Sequence, residues 1–184
     1  MHRRWMNGLL PALFLLGTSL VHAKDVLADA ITAIDANVVF MRHANAPGFG
    51  DPAHFNLKDC STQRNLDDAG RKQAQHIGGL IRASNVKFVE VLSSEWCRCK
   101  DTADLLNVGQ WQTFSGLNSF FQGHADEAST LRQLRHKFTS IQPGVTLMVT
   151  HQVVISAVTG QGAQTGEMIA FNTRTKAAVR VPLR

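Results

Sequence analysis

The chain carries two short apolar runs, each ending abruptly in polar, chemistry-bearing residues. Val38-Val39-Phe40-Met41 leads into Arg42-His43, and Val145-Thr146-Leu147-Met148-Val149-Thr150 leads into His151. Both read as buried strands, because short apolar runs rich in β-branched residues and bounded by turn formers suit a covered sheet. Phe88-Val89-Glu90-Val91-Leu92 alternates enough for a half-buried strand, and Trp111 to Leu117 reads as a shorter one. Between these strands the apolar period changes to that of helices. Ala74, Ile77, Leu80 and Ile81 share one face of a helix from Ala69 to about Ala83, capped by Asp67 or Asp68. Glu95 to Leu106 turns Trp96, Ala103, Leu105 and Leu106 inward, Ala128 to Ile141 is amphipathic, and Val153 to Val158 is apolar and helical. Lys24 to Ala36 reads as an entry helix or a loose arm, and Gly166–Phe171 with Ala177–Leu183 makes a closing hairpin. Strands alternating with helices predict an α/β fold: a three-layer α/β/α sandwich around a central, mostly parallel sheet.

Two long stretches lack either period. Ala44 to Gln63 and Asn118 to Ala128 are rich in Gly, Pro, Asn, Asp and Ser, and loops of this length commonly carry function. The N-terminus has a third pattern. His2, Arg3 and Arg4 precede an apolar run from Leu9 to Leu16, and Val21-His22-Ala23 ends in a small residue. This reads as a secretory signal peptide over residues 1–23, cleaved after Ala23. An uncleaved anchor is the competing reading, but the apolar run is shorter than the roughly 20 residues that span a bilayer. Residues 24–184 are then one ordinary domain.

Removing Arg3 and Arg4 takes the formal net charge from +5 to +3, a mild excess suited to a small anionic ligand. It is not the clustered basic stripe of a nucleic-acid-binding protein. Three cysteines, Cys60, Cys97 and Cys99, sit in a chain read as exported, where a disulfide is permitted and one thiol is left over. Residues two apart on a helix do not face each other, so Cys60 is expected to pair with Cys97 or Cys99. A redox or metal site on Cys97-Arg98-Cys99 is disfavoured, since there is no second cysteine pair and the histidines are scattered. No metal or cofactor motif is visible, and nothing specifies an oligomeric state.

Parallel neighbours would bring the ends of three strands to one sheet edge: Arg42-His43, Thr150-His151, and Ser93-Ser94 four residues before Arg98. Ligands of open α/β sheets sit outside such carboxyl ends. These blocks resemble the histidine phosphatase superfamily, also called phosphoglycerate mutase-like. Arg42-His43-Ala44 is similar to its Arg-His-Gly signature, and Arg64-Asn65-Leu66 with Gly70 and Gln73-Ala74 to the next block. Ser93-Ser94 with Arg98 and Thr102-Ala103 follows, then Thr150-His151. The compact members, which include phosphohistidine phosphatases, are most similar. The resemblance implies a metal-independent phosphatase with His43 as nucleophile, a phosphohistidine intermediate, and Arg42, Arg98 and His151 around the phosphate. It also implies a substrate-binding role for Arg64, while Ser93 and Ser94 lack nucleophile-elbow glycines and read as phosphate-side hydroxyls, Ser94 binding substrate, or as a helix cap. Guanidinium groups suit this chemistry, because they stabilise the charge spread over a transferring phosphoryl group.

Two positions depart from the family pattern. Ala44 stands in place of glycine, and the places where relatives carry a proton-donating glutamate or aspartate read Leu117-Asn118-Ser119 and His151-Gln152. The general acid is therefore unassigned, with Asp126, Glu127, Glu95 and Glu167 as candidates. Loss of the acid would tilt the substrate away from simple alcohol phosphates, whose leaving groups need protonation. His54, His76, His124 and His136 read as structural or exposed histidines, with His124 of interest because it lies in the second loop. Trp96, Trp111, Phe120 and Phe121 read as core, with Phe120-Phe121 also a possible pocket wall. The expected protein is an exported phosphatase acting on a phosphomonoester or related phosphoryl compound, periplasmic in a Gram-negative cell. A non-catalytic phosphoanion-binding protein that keeps the arginine pocket is the alternative.

Overall fold

A computed structural model describes residues 26–183; the expected signal peptide lies outside them. The elements are α1 (Val26–Ala33), β1 (Val38–Arg42), α2 (Asp68–Ala83), β2 (Phe88–Ser93), α3 (Cys97–Leu106), β3 (Trp111–Thr113), α4 (Glu127–Phe138), β4 (Val145–Thr150), α5 (Gln152–Thr159), β5 (Met168–Phe171) and β6 (Ala178–Val181). They form one sheet in the order β3-β2-β4-β1-β5-β6. The first four strands in that order are mutually parallel, whereas β5 and β6 run antiparallel as the closing hairpin. The sheet buries both faces, which is why β1 and β4 read as continuous apolar runs. Val39 and Met41 point to one side, against Leu27 of α1, Ile77 and Ile81 of α2, and Ala103 and Leu106 of α3. Val38 and Phe40 point to the other, against Leu134 of α4 and Val154 and Ile155 of α5. The molecule is thus the three-layer α/β/α sandwich with a mostly parallel sheet. Among the described residues no helix is long and apolar enough to cross a membrane.

Element ends follow from side-chain caps rather than from apolar period alone. Asp67 accepts from Gly70 N at 2.7 Å and starts α2, and Asp126 accepts from Ser129 N at 2.7 Å and starts α4. Helix α4 ends at Phe138, short of Ile141, where Thr139 and Ser140 hydroxyls return to the His136 and Lys137 carbonyls. Strand β3 is shorter than Trp111–Leu117, because the chain leaves the sheet after Phe114 N bonds Ser93 O and closes a 3₁₀ turn at Ser115–Leu117. Helix α3 begins at Cys97 rather than Glu95. Its first N–H is satisfied from a distant loop, Cys97 N donating to the Gln63 side chain at 3.0 Å. Gly70 is required where α2 crosses the loop after β1: a Cβ there would lie 1.9 Å from Asn45 O. That close approach lets Asn45 N donate to Gln73 Oε1 at 2.8 Å and fixes the chain immediately after His43.

Candidate active site

The parallel register places three strand ends side by side. Arg42 pairs with Thr150 across β1 and β4, and Ser93 with Val149 across β2 and β4. The ladder continues one residue further, through His43 N to Thr150 O and Ser94 N to Val149 O, both 2.9 Å. His43, His151 and Ser94 therefore leave the sheet at one edge, and the two imidazole rings meet edge to face with centroids 5.4 Å apart. Above them lies a cleft of about 370 Å³ lined by Arg42, His43, Arg64, Arg98 and His151 together with Gln152 and parts of both long loops. All five residues separated by up to 109 positions in sequence converge there.

The protonation pattern follows from the hydrogen bonds. His43 is 2 % exposed, and its Nδ1 lies 2.8 Å from Ala44 O. A carbonyl only accepts, so Nδ1 carries the hydrogen and the neutral ring keeps a lone pair on Nε2. Burial, and then the charge of Arg98, hold the pKa of His43 well below the ordinary histidine value; the Ala44 hydrogen bond opposes this but does not win. His151 is depressed for the same two reasons, burial first and Arg98 second, so both rings are neutral near pH 7. Ala44, in the place of the family's glycine, is fully buried and is not among the residues with positive φ, so its methyl group strains nothing. Its N–H donates to Thr102 Oγ1 at 3.0 Å, and Thr102 donates in turn to Arg98 O.

A hydrogen-bond chain orients His151. Asn118 Nδ2 donates to Glu95 Oε2 at 2.5 Å, while Asn118 Oδ1 accepts from Glu95 N at 2.9 Å, which fixes the amide orientation. Ser94 Oγ, 3.1 Å from Asn118 Oδ1, must then donate to it, and so accepts from His151 Nε2 at 2.9 Å. The hydrogen of neutral His151 sits on Nε2. Glu95 thus ends a relay to His151 instead of reaching the cleft. Asp126 caps α4, Glu127 is exposed on its first turn, and Glu167 is paired with Arg180 and with Gln164 N. Among the described residues no carboxylate lines the cleft.

The arginines are held by loop carbonyls and one buried carboxylate. Arg42 donates to Ala163 O at 2.9 Å and to Gln152 Oε1 at 3.4 Å. Arg64 donates to Gly50 O at 2.9 Å and to Ala46 O. Arg98 makes a two-pronged pair with Asp51, at 2.8 and 3.1 Å, with both side chains only 4 % exposed. Asp51 also accepts from Arg64 N and Trp96 Nε1. Burial raises the Asp51 carboxyl pKa, but the Arg98 hydrogen bond and charge outweigh it and hold the group below the ordinary carboxylate value. Sequence reasoning missed Asp51 and Gln63, both in the loop after β1. The density of Gly, Pro and Asp marked that loop as functional, but no spacing rule ties position 51 to position 98.

The remaining sequence candidates fall into place around this centre. Cys60 pairs with Cys97, with Cα atoms 5.7 Å apart, and so ties the same loop to the start of α3. Cys99 is free and buried; burial pushes its thiol pKa up to about 12, so it stays protonated beside His151 Nε2, 3.5 Å away. His54, His76 and His136 are exposed. His124 stacks on Phe55, centroids 4.3 Å apart, and Phe55 stacks on the buried Trp96, whose edge meets His151. The two neighbouring phenylalanines separate, Phe121 lining the cleft while Phe120 packs into the core beneath α4 and α5.

Comparison with known proteins agrees with this architecture. Among solved structures, the protein histidine phosphatase SixA complexed with tungstate superposes with a TM-score of 0.53 at 14% identity, covering 78% of this chain and 92% of that one. An Escherichia coli K-12 protein described as an alpha-ribazole-5'-P phosphatase gives 0.55 at 19% identity, covering 78% and 93%. The mycobacterial glucosyl-3-phosphoglycerate phosphatase gives 0.54 at 13%, covering 79% and 96%. At these identities the likeness establishes the fold. No curated protein matches the chain. The family model for the histidine phosphatase superfamily (branch 1) matches residues 38–138, from the start of β1 to the end of α4. With more than half of its length covered by that model, and the shared fold, this chain belongs to the histidine phosphatase superfamily.

Proposed function

We propose that this protein is an exported, metal-independent phosphatase that hydrolyses a phosphomonoester or related phosphoryl compound through a phosphohistidine on His43. The observation that carries this reading is the fixed tautomer of His43: Nδ1–H is held by Ala44 O, leaving the Nε2 lone pair at a cleft lined by three arginines. In the first step Nε2 attacks phosphorus, the P–N bond forms, and the bond to the leaving group breaks with its electron pair. Water then attacks the phosphoryl group, the P–N bond breaks, and phosphate leaves with His43 neutral again. Arg42, Arg64 and Arg98 compensate the charge on the equatorial oxygens, which supports catalysis without a metal. His151, whose one hydrogen on Nε2 is given to Ser94, flanks the phosphoryl group as a neutral ring held in place by that bond. Export is supported by the basic start and apolar run at the N-terminus and by the Cys60–Cys97 disulfide, which forms in oxidising compartments such as the periplasm.

The test is mass spectrometry after rapid quenching, without acid, of the protein mixed with a reactive phosphodonor, comparing wild type with His43→Ala. A transient phosphate adduct on His43, absent in the variant, is expected. That no carboxylate among the described residues lines the cleft favours one second reading, a phosphoanion-binding protein without turnover. Phosphate analogues that bind with no adduct ever forming would decide for it.

A further inference from the structure

Three large apolar side chains are exposed among the described residues, Phe49, Val89 and Phe121. Two of them meet at the mouth of the phosphate cleft. Phe49 is 89% exposed, and its ring lies edge to face on Phe121 with centroids 5.3 Å apart. The presentation is built into the backbone. Gly48 and Gly50 flank Phe49 at φ +93° and +69°, a conformation side-chain-bearing residues rarely adopt, and it turns Phe49 away from the core. The facing turn carries Gln122 at φ 60°, and Gln122 Oε1 accepts from Asp51 N at 2.8 Å, tying the two aromatic segments together. A Cβ on Gly50 would lie 2.5 Å from that same oxygen.

Two further observations say what fits there. The cleft, about 370 Å³, falls within the range of small-molecule pockets and exceeds what a bare phosphate fills. In-line attack by the buried His43 sends the leaving group to the side of phosphorus away from His43, toward the open side of the cleft, whose lining includes the exposed Phe49 and Phe121. Among the described residues no carboxylate lines the cleft to protonate that leaving group. Phenols ionise near 10, as tyrosine does, whereas aliphatic hydroxyls ionise far higher, close to water itself. A leaving atom attached to an aromatic ring therefore departs without the missing acid, and the same ring offers a flat face to stack on phenylalanine.

We propose that Phe49 and Phe121 form a leaving-group subsite for a planar aromatic ring joined to the phosphoryl group through oxygen or nitrogen. This rests on the phosphatase reading and narrows its substrate class. As the His43 Nε2–P bond forms, the bond from phosphorus to the ring-bound atom breaks and that atom keeps the electron pair: a phenolic oxygen leaves as phenolate and takes a proton from water, and the nitrogen of an N-phosphoimidazole protonated on its other ring nitrogen leaves as neutral imidazole.

The test is calorimetric binding of three phosphonates in which a CH₂ or CH₃ replaces the ester oxygen: benzylphosphonate, cyclohexylmethylphosphonate and methylphosphonate. Wild type is expected to bind the benzyl compound about five-fold or more tightly over both others, the range that one aromatic pair supplies. In Phe49→Ala and in Phe121→Ala that preference falls below about two-fold, and Phe49→Tyr restores it. Because the preference is a ratio within each variant, a loss of folded protein does not imitate the result. Equal binding of the benzyl and cyclohexylmethyl compounds, or a preference that survives both alanine variants, overturns the subsite while leaving the phosphate pocket standing. Failure of all three to bind overturns the phosphate pocket and the subsite together. In turnover, faster hydrolysis of phenyl phosphate or of N-phosphoimidazole than of ethyl phosphate supports the assignment, and the faster of the first two names the leaving atom. Ethyl phosphate hydrolysed as fast as either refutes it.

Discussion

Asp51 is the residue whose removal the structure makes most consequential outside the cleft itself. Its carboxylate receives two hydrogen bonds from Arg98, one from Arg64 N and one from Trp96 Nε1, all between 2.8 and 3.1 Å. Asp51→Asn keeps the shape but turns one acceptor into an NH₂ group that faces donors. It also leaves the Arg98 charge buried without its counter-charge. Breaking one half of a buried pair costs about 3–5 kcal/mol, a large part of the roughly 5–15 kcal/mol that stabilises a domain. For a chain of this size the melting temperature is expected to fall by about 6–20 °C. Arg98, no longer held, should also lose its aim, so kcat/KM on a phosphoryl substrate drops in the folded fraction. Thermal melting by circular dichroism, with steady-state kinetics well below the transition, reads both effects. The double variant Asp51→Asn/Arg98→Met removes both charges and should melt above Asp51→Asn alone, because it leaves no uncompensated ion. A single variant that melts within about 2 °C of wild type, the shift expected of an exposed ion pair, would refute the reasoning.

Other expectations follow from the same geometry. His43 and His151 are depressed, so the unfolded chain binds more protons than the folded one below about pH 6.5. Stability should therefore fall as pH drops through that window, while the acid limb of kcat/KM lies below it, measured by urea titration and by pH-rate profile. Asp51, depressed below its unfolded value of about 3.9, adds a further loss of stability only in stronger acid. Asn118→Ala breaks the relay between Glu95 and Ser94 and should lower kcat/KM roughly ten-fold, about the worth of one buried hydrogen bond; ¹⁵N shifts of His151 should show mixed ring tautomers in place of one. Reducing the Cys60–Cys97 bridge, which spans 37 residues, is expected to cost on the order of 2–4 kcal/mol. The melting point in reductant, compared with that of Cys60→Ser without it, checks this.

The layers, the mostly parallel sheet and the family were legible because β1 and β4 announce themselves. A buried parallel strand has to be apolar on both faces, and few other elements look like Val38–Met41 followed at once by Arg42-His43. The convergence of Arg42, His43, Arg98 and His151 followed from parallel pairing alone. What stayed hidden depended on side chains reaching across loops. Asp51 and Arg98 lie 47 positions apart, and the bond between them is set by the path of the long loop, which no period encodes. The helix starts at Cys97 and not Glu95 because Gln63, 34 positions upstream, supplies the acceptor. Asn118 looked like the place where a glutamate had been lost. In the fold its amide is locked between Glu95 and Ser94, an arrangement visible only once the end of β2 and the turn after β3 are brought together.

The electrostatics of the cleft follow from one imbalance. Arg42, Arg64 and Arg98 line the cleft, and among the described residues the carboxylate paired with them, Asp51, sits behind Arg98 and outside the lining. After burial itself, the charge of Arg98 is the largest influence lowering the pKa of Arg42 and of Arg64, so these cations disfavour one another until an anion arrives. A guanidinium does not give up its proton under such pressure, but an imidazole does. Burial does most to keep the proton off His43, and the same field that would draw in a phosphoryl group adds to it, leaving Nε2 with its lone pair. Binding site and nucleophile need no separate tuning. Asp51 sets the balance: with it, Arg98 is fixed in place and one positive charge is cancelled, whereas a second carboxylate near the cleft would raise the pKa of His43 and weaken the hold on the substrate. A general acid placed here in the form of a glutamate would carry that cost, and a leaving group that departs unaided removes the need for one.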